Sequence, residues 1–124
     1  MNPFQFYFPT TLKSGNGLVR QAGALLKPHV RKKLLVVTDE GLMASGVMEG
    51  FFASLADSDI HYEVFSGVEP NPTTDVLERA VAFLKNHDCD SVIGVGGGSS
   101  IDTAKGVAAM ATNPGNILDY EGYD

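Results

Sequence analysis

The chain has 124 residues, which is one domain's worth at the usual ~100–150. Hydrophobic residues make up 44%, enough for one core, and this excludes a disordered chain. The formal charge is −6, from 9 basic and 15 acidic side chains, so no nucleic acid is expected as a partner, because phosphate binding needs a basic footprint.

Phe4 to Phe8 is short, aromatic and strand-like, and Pro9 ends it. Ser14-Gly15-Asn16-Gly17 is a turn signal. Val19, Ala22, Leu25 and Leu26 then recur at helical spacing, and Pro28 closes that helix. Leu34-Leu35-Val36-Val37 is a continuous apolar run, the mark of a strand buried on both faces. Thr38-Asp39-Glu40-Gly41 reads as a loop. Val47, Phe51 and Leu55 lie at i, i+4 and i+8 and predict a helix. Tyr62-Glu63-Val64-Phe65 is the next strand, and Ser66 to Pro72 the next loop. Thr73 or Thr74 caps a further helix, with Asp75 favoured in its first turn by the dipole. Val76, Leu77, Ala80, Val81 and Leu84 form its buried stripe. Ser91 to Val95 is another apolar strand, broken by Gly96-Gly97-Gly98. Ser99 to Thr112 reads as a helix with a small buried face: Ile101, Ala104, Ala108 and Ala111.

Strands thus alternate with helices, the α/β pattern of a mainly parallel sheet with helices on both faces. The expected core includes Leu35, Val37, Val64, Val81, Leu84, Val92 and Val95. There is no internal repeat or linker. The closing Asp119-Tyr120-Glu121-Gly122-Tyr123-Asp124 has no cap, helix or strand and reads as a chain cut in passage.

Other classes find little support. Arg31-Lys32-Lys33 is the single basic run and reads as a solvated approach to a strand. The lone Cys89 cannot form an intrachain disulfide, which fits a reducing compartment. No signal peptide is recognisable, and no apolar run approaches the ~18 residues of a membrane helix. No membrane partner is expected, and a cytoplasmic location is. His29, His61 and His87 have no metal-ligand spacing, so no metal site is expected in this chain. Cys89 lies between Asp88 and Asp90, which disfavours a thiolate nucleophile. No Gly-x-Ser-x-Gly elbow or P-loop occurs, and no catalytic residue is assigned.

In a parallel sheet, ligands bind outside the carboxyl ends of the strands. Three loops leave such ends here: Asp39-Glu40-Gly41, Gly67 to Thr73, and Gly96 to Ser100. The third combines strand, three glycines, Ser-Ser and helix. Glycines let a ligand approach the backbone closely. Ser99 is expected to cap the helix, with Asp102 three positions on, and the helix amino end offers N–H groups to an anion. This is a pyrophosphate cradle, but not the usual dinucleotide fingerprint, in which the acidic residue follows the glycines by about 20 positions. Here Asp39 comes first and the glycines begin 57 positions later. A carboxylate at Asp39 can accept from ribose hydroxyls and repel a 2′-phosphate, favouring NAD over NADP. Lys105 could reach a phosphate or stand in solvent.

Val95-Gly96-Gly97-Gly98-Ser99-Ser100-Ile101-Asp102-Thr103-Ala104-Lys105 resembles the signature of iron-containing (group III) alcohol dehydrogenases. So do Val36-Val37-Thr38-Asp39-Glu40-Gly41, Val68-Glu69-Pro70-Asn71-Pro72-Thr73 and Asp119-Tyr120-Glu121-Gly122, in the same order. The resemblance covers the whole chain but only the family's amino-terminal domain. It implies a Rossmann-like NAD(P)-binding domain of the dehydroquinate synthase type, spanning residues 1–124, with an all-helical domain to follow. By position, Asp39, Asn71, Gly97, Gly98, Ser99 and Asp102 would bind the cofactor, NAD. The family's ligands for iron (or zinc), an aspartate and three histidines, belong to the helical domain and have no match here. Ser100-Ile101 stands where many relatives have Pro-His or Pro-Gln.

The implied chemistry of the intact enzyme is reversible hydride transfer between a primary alcohol and NAD, with a metal as Lewis acid. The small-molecule alcohol or aldehyde is then the partner, and the apolar surface left without the helical domain implies a homo-oligomer. A glycerol dehydrogenase-like or dehydroquinate synthase-like enzyme shares this domain plan. A phosphorylation receiver lacks support, because Ser66-Gly67 follows the third strand where it needs an aspartate. A non-enzymatic nucleotide-binding or assembly domain is the reading if 124 residues are the natural product.

Overall fold

The computed structural model describes residues 6–8, 22–46, 48–68 and 74–112. Strand β1 is Phe6–Phe8. Helix α1, Ala22–Leu26, runs into a 3₁₀ turn, Lys27–His29, that contains Pro28. Strand β2 is Leu34–Val37, followed by the short helix α2, Glu40–Ser45, and by α3, Met48–Asp57. Strand β3 is Tyr62–Phe65, α4 is Thr74–Asn86, β4 is Ser91–Gly94 and α5 is Gly98–Thr112. Pro70, Asn71, Pro72 and Asp119 to Asp124, all marked by the sequence, lie outside the described residues.

The sheet order is β1-β4-β2-β3, and every pairing is parallel, as the sequence pattern predicts. Alternate side chains of β2 and β4 leave opposite faces. Leu35, Val37 and Val92 join Val76, Ala80, Val81, Leu84, Ala104 and Val107 on the α4–α5 face. Leu34, Val36 and Ile93 join Leu26, Phe51 and Leu55 on the α1–α3 face. Both central strands are therefore buried on both sides, which is why β2 is an unbroken apolar run and β4 has Val92-Ile93 at its centre.

Three expectations need correction. Val64 is only partly buried, because β3 is an edge strand with one neighbour. Thr38-Asp39-Glu40-Gly41 is not all loop, since Glu40 already begins α2. That helix has no fully buried residue; Leu42 and Met43 pack partly buried against the α1–α3 core, and its ends are capped. Asp39 Oδ1 accepts the Leu42 N–H at 2.7 Å, and Gly46 closes the helix in the left-handed region at φ 84°. On α5, Ile101 and Ala111 are only partly buried, while Val107 and Met110 join Ala104 and Ala108 inside.

The small side chains of α5 do permit a close approach. A Cβ added to Gly94 at the end of β4 would meet Ser100 O at 2.9 Å and Ala104 Cβ at 3.1 Å. Helix and strand thus touch through backbone at the point where β4 delivers the chain to α5.

Candidate functional site at the carboxyl edge of the sheet

The connection after β2 goes to one face of the sheet and that after β4 to the other, although the two strands are neighbours. Such a switch point leaves a crevice beyond the carboxyl ends. A cleft of about 740 Å³ lies there. Its walls are Asp39-Glu40-Gly41 after β2, Ser66-Gly67-Val68 after β3, Gly97 to Ser100 at the start of α5, and Arg79 from α4. All three loops picked out by sequence converge on it. Its size suits a small-molecule ligand, whose pockets run to ~300–1,000 Å³.

The walls are tied together by backbone. Thr38 donates its N–H to Phe65 O at 3.0 Å, and Asp39 forms an isolated antiparallel bridge with Gly67. Val95 N–H bonds Val37 O at 2.9 Å, so the β4 exit is pinned to β2. The two carboxylate oxygens of Asp39 are placed differently. Oδ1 caps α2, and Oδ2 lies on the side of Gly96, 3.5 Å from where a Cβ there would stand.

Gly96 has φ 126°, a conformation that side chains oppose. Gly97 and Gly98 differ from it in what they face: a Cβ added to either meets nothing within 4 Å. Their Cα atoms border open cleft, so a ligand can reach the backbone there. Gly97 O accepts from Ser100 N at 3.1 Å and from Ile101 N at 3.2 Å, which makes Gly97 the capping position. Ser99, expected as the cap, instead lies in the first turn, at the cleft wall. Gly97, not Ser99, supplies the first intrahelical carbonyl, so Ser99 already stands inside the helix and not at its N-cap position. Ser100 is buried, and its bonded N–H is one that a proline at this place would lack.

The six residues assigned by sequence thus divide. Asp39, Gly97, Gly98 and Ser99 share the cleft. Asp102 is exposed on α5 and is not among the described lining residues. Asn71 lies outside the described residues. Sequence reading missed Arg79, the one cation among the described lining residues. Its Nε is 3.3 Å from Asp75 Oδ2, and the i, i+4 spacing of this pair was a visible signal. Lys105 is exposed and stands outside that lining.

Other reactive groups are occupied structurally. Burial pushes the Cys89 thiol up to about 12, with Glu63, Asp90 and Asp88 acting in the same direction and Lys33 against it. It is a core thiol, not a nucleophile. His87 Nδ1 is 2.9 Å from Phe83 O, and its ring stacks on Phe83 at 4.0 Å. Among the described residues, no three His, Cys, Asp or Glu side chains gather as metal ligands, and no helix is long and apolar enough to cross a membrane.

The profile of a family described as iron-containing alcohol dehydrogenase matches residues 9–124. The chain is 39% identical over 119 residues to Alcohol dehydrogenase 4 of Schizosaccharomyces pombe, covering 96% of this chain and 28% of that protein. It is 37% identical over 119 residues to a choline dehydrogenase of Bacillus subtilis, covering 96% of this chain and 30% of that protein. Among solved structures, a 1,3-propanediol oxidoreductase superposes with a TM-score of 0.80 at 31% identity, over 94% of this chain and 31% of that one. The NADH-dependent butanol dehydrogenase A of Thermotoga maritima gives 0.76 at 36% identity, over 94% and 29%. The chain therefore spans under a third of each of these relatives.

Proposed function

Because the chain belongs to the iron-containing alcohol dehydrogenase family, we propose that it is the cofactor-binding part of an NAD-dependent, metal-dependent enzyme that interconverts a primary alcohol and an aldehyde. The observation that carries this is the cleft where Asp39 and the open backbone of Gly97 and Gly98 meet. A dinucleotide needs these two features: an acceptor for ribose hydroxyls, and bare backbone beside helix N–H groups for the pyrophosphate.

The residues present fit that cofactor. Asp39 Oδ2, left over from capping, accepts from a ribose hydroxyl and repels a 2′-phosphate, which favours NAD. Gly97 and Gly98 admit the pyrophosphate against the first turn of α5, and Ser99 adds a hydroxyl at the same wall. Asn71 and Asp102 enter by resemblance alone. The bound nicotinamide supplies the hydride chemistry. This chain binds and orients; the metal, iron or zinc, would be held by the part of the protein that forms the other wall. Relatives and related structures are named for substrates as different as choline, butanol and 1,3-propanediol, which supports an alcohol and nothing narrower.

The proposal is tested on two proteins. A full-length protein containing this chain should oxidise primary alcohols with NAD and added Fe²⁺ or Zn²⁺. The 124-residue chain alone should show no turnover and, by calorimetry, bind NAD no tighter than about millimolar, since half a cleft buries only part of the ligand. Inactivity of the full-length protein toward every alcohol would overturn the assignment. Micromolar NAD binding by the chain alone would show that the second wall is not needed.

A further inference from the structure

The charge around the cleft poses a problem for the ligand just proposed. The chain carries −6, and the described lining contains the carboxylates of Asp39 and Glu40. A pyrophosphate would bring two further negative charges. The first turn of α5 offers only the partial charge of a helix end. Arg79, from α4, is the one full positive charge among the described lining residues.

Arg79 is not locked. Its one ion pair among the described residues, with Asp75, runs through Nε at 3.3 Å, and the two side chains are 52% and 78% exposed. An exposed pair of this kind is weak. A guanidinium carries five N–H donors in a planar fork, so binding through Nε leaves both Nη groups able to engage an oxyanion. Phosphate offers a charge-assisted, two-pronged partner, which is stronger than a one-pronged contact in water.

We propose that Arg79 is a specificity-determining residue that distinguishes phosphate-bearing from phosphate-free ligands in this cleft, with Asp75 as the competing partner it leaves on binding. The inference rests on the dinucleotide reading of the site and adds a residue and a competition to it. It predicts opposite signs for two neighbours on one helix. Losing Arg79 weakens the ligand; losing Asp75 frees Arg79 and tightens it.

The test uses a full-length protein containing this chain, titrated by calorimetry with ADP-ribose and separately with adenosine. Arg79→Gln should weaken ADP-ribose about three- to tenfold and leave adenosine unchanged. Asp75→Asn should tighten ADP-ribose about twofold, and this gain should vanish in the Asp75→Asn/Arg79→Gln double variant. Lys85→Gln removes the same charge from the far end of α4 and should change nothing. All three positions are exposed, so the fold is retained. Wild-type affinity for ADP-ribose in Arg79→Gln would overturn the proposal and leave the dinucleotide site standing. An equal loss in Lys85→Gln, or a parallel loss of adenosine, would also overturn it, by showing a net-charge or wall effect. An Asp75→Asn gain that survives in the double variant would overturn the competition. No ADP-ribose binding by the wild type would overturn the dinucleotide reading, and this inference with it.

Discussion

At the amino ends of β2 and β4, Asp90 is 6% exposed and accepts backbone N–H bonds from Lys32 at 3.1 Å and Lys33 at 3.2 Å. Lys32 pairs with Asp88 and Lys33 with Glu63, and Asp90 N–H returns a bond to Lys33 O at 3.0 Å. The basic run that reads as merely solvated is thus part of a clamp. At the carboxyl ends of the same two strands, Asp39 spends one oxygen on a cap, and the backbone of Gly97 and Gly98 faces open space. Both ends carry acidic residues beside strand termini. One end closes its polar groups on each other; the other leaves them facing a cleft. Whether the fold consumes the polarity at a strand end therefore depends on whether its partners are already present.

This contrast can be broken by exchanging its effects. The largest expected change is Asp90→Ala, which leaves two backbone N–H groups without their acceptor. Stability should fall by about 2–3 kcal/mol in urea unfolding, with NAD binding by the folded fraction unchanged. A stable variant with lost binding would reverse our assignment of the two ends. Next comes Gly97→Val, whose side chain enters open cleft. NAD should bind more than about tenfold more weakly, equivalent to ~1.4 kcal/mol, while the unfolding midpoint stays put. The same outcome is expected for Gly98→Val, and wild-type binding by both would place the cradle elsewhere.

Asp39 sharpens the comparison because it belongs to both categories. Asp39→Asn keeps a capping oxygen but removes the charge, whereas Asp39→Gly removes both. In the full-length enzyme each should shift the NADP-to-NAD ratio of kcat/KM toward NADP by roughly 1–3 kcal/mol. Only the glycine variant should also lose stability, by a few tenths of a kcal/mol. An unchanged ratio in both would reject the cofactor-selecting role. The last effect, silent at neutral pH, concerns Cys89. Its thiol is raised from 9.0 to about 12 in the fold, so the folded state holds a proton that the unfolded state releases first. Stability should be intact below pH 9 and fall between there and 12. Cys89→Ala should flatten this alkaline slope, and rapid alkylation of the native thiol at pH 8 would contradict its burial.

Much of this was legible in the sequence where one force acts alone. Leu34 to Val37 is an unbroken apolar run, and Ser91 to Val95 a largely apolar one, because two helical layers cover them, and the strands lie there, β4 ending at Gly94. The loops at the carboxyl ends followed from parallel order. What escaped depended on partners distant in sequence or on ends rather than faces. Helix α2 is six residues long and sets only the adjacent pair Leu42-Met43, partly buried, against the core, so no helical period could reveal it; a cap and a left-handed glycine mark its ends. Val64 has the sequence of a core residue but belongs to an edge strand. Arg79 has the sequence of an exposed helical cation, and only the packing of α4 brings it to the cleft.

The position of β1 bears on how the chain folds. Phe6 pairs with Ser91, a partner 85 positions away, while β2 meets β3 over 28 positions, from Leu34 to Tyr62. Closing the longer loop loses more chain entropy before any ladder bond returns it. During synthesis, β2, α3 and β3 can dock long before Ser91 to Ile93 emerge. Strand β1 must then wait for β4, holding its hydrogen-bonding edge open in the meantime. Pulse-labelled hydrogen exchange should show the β2–β3 ladder protected before the β1–β4 ladder, and simultaneous protection would mean that the sheet forms in a single step.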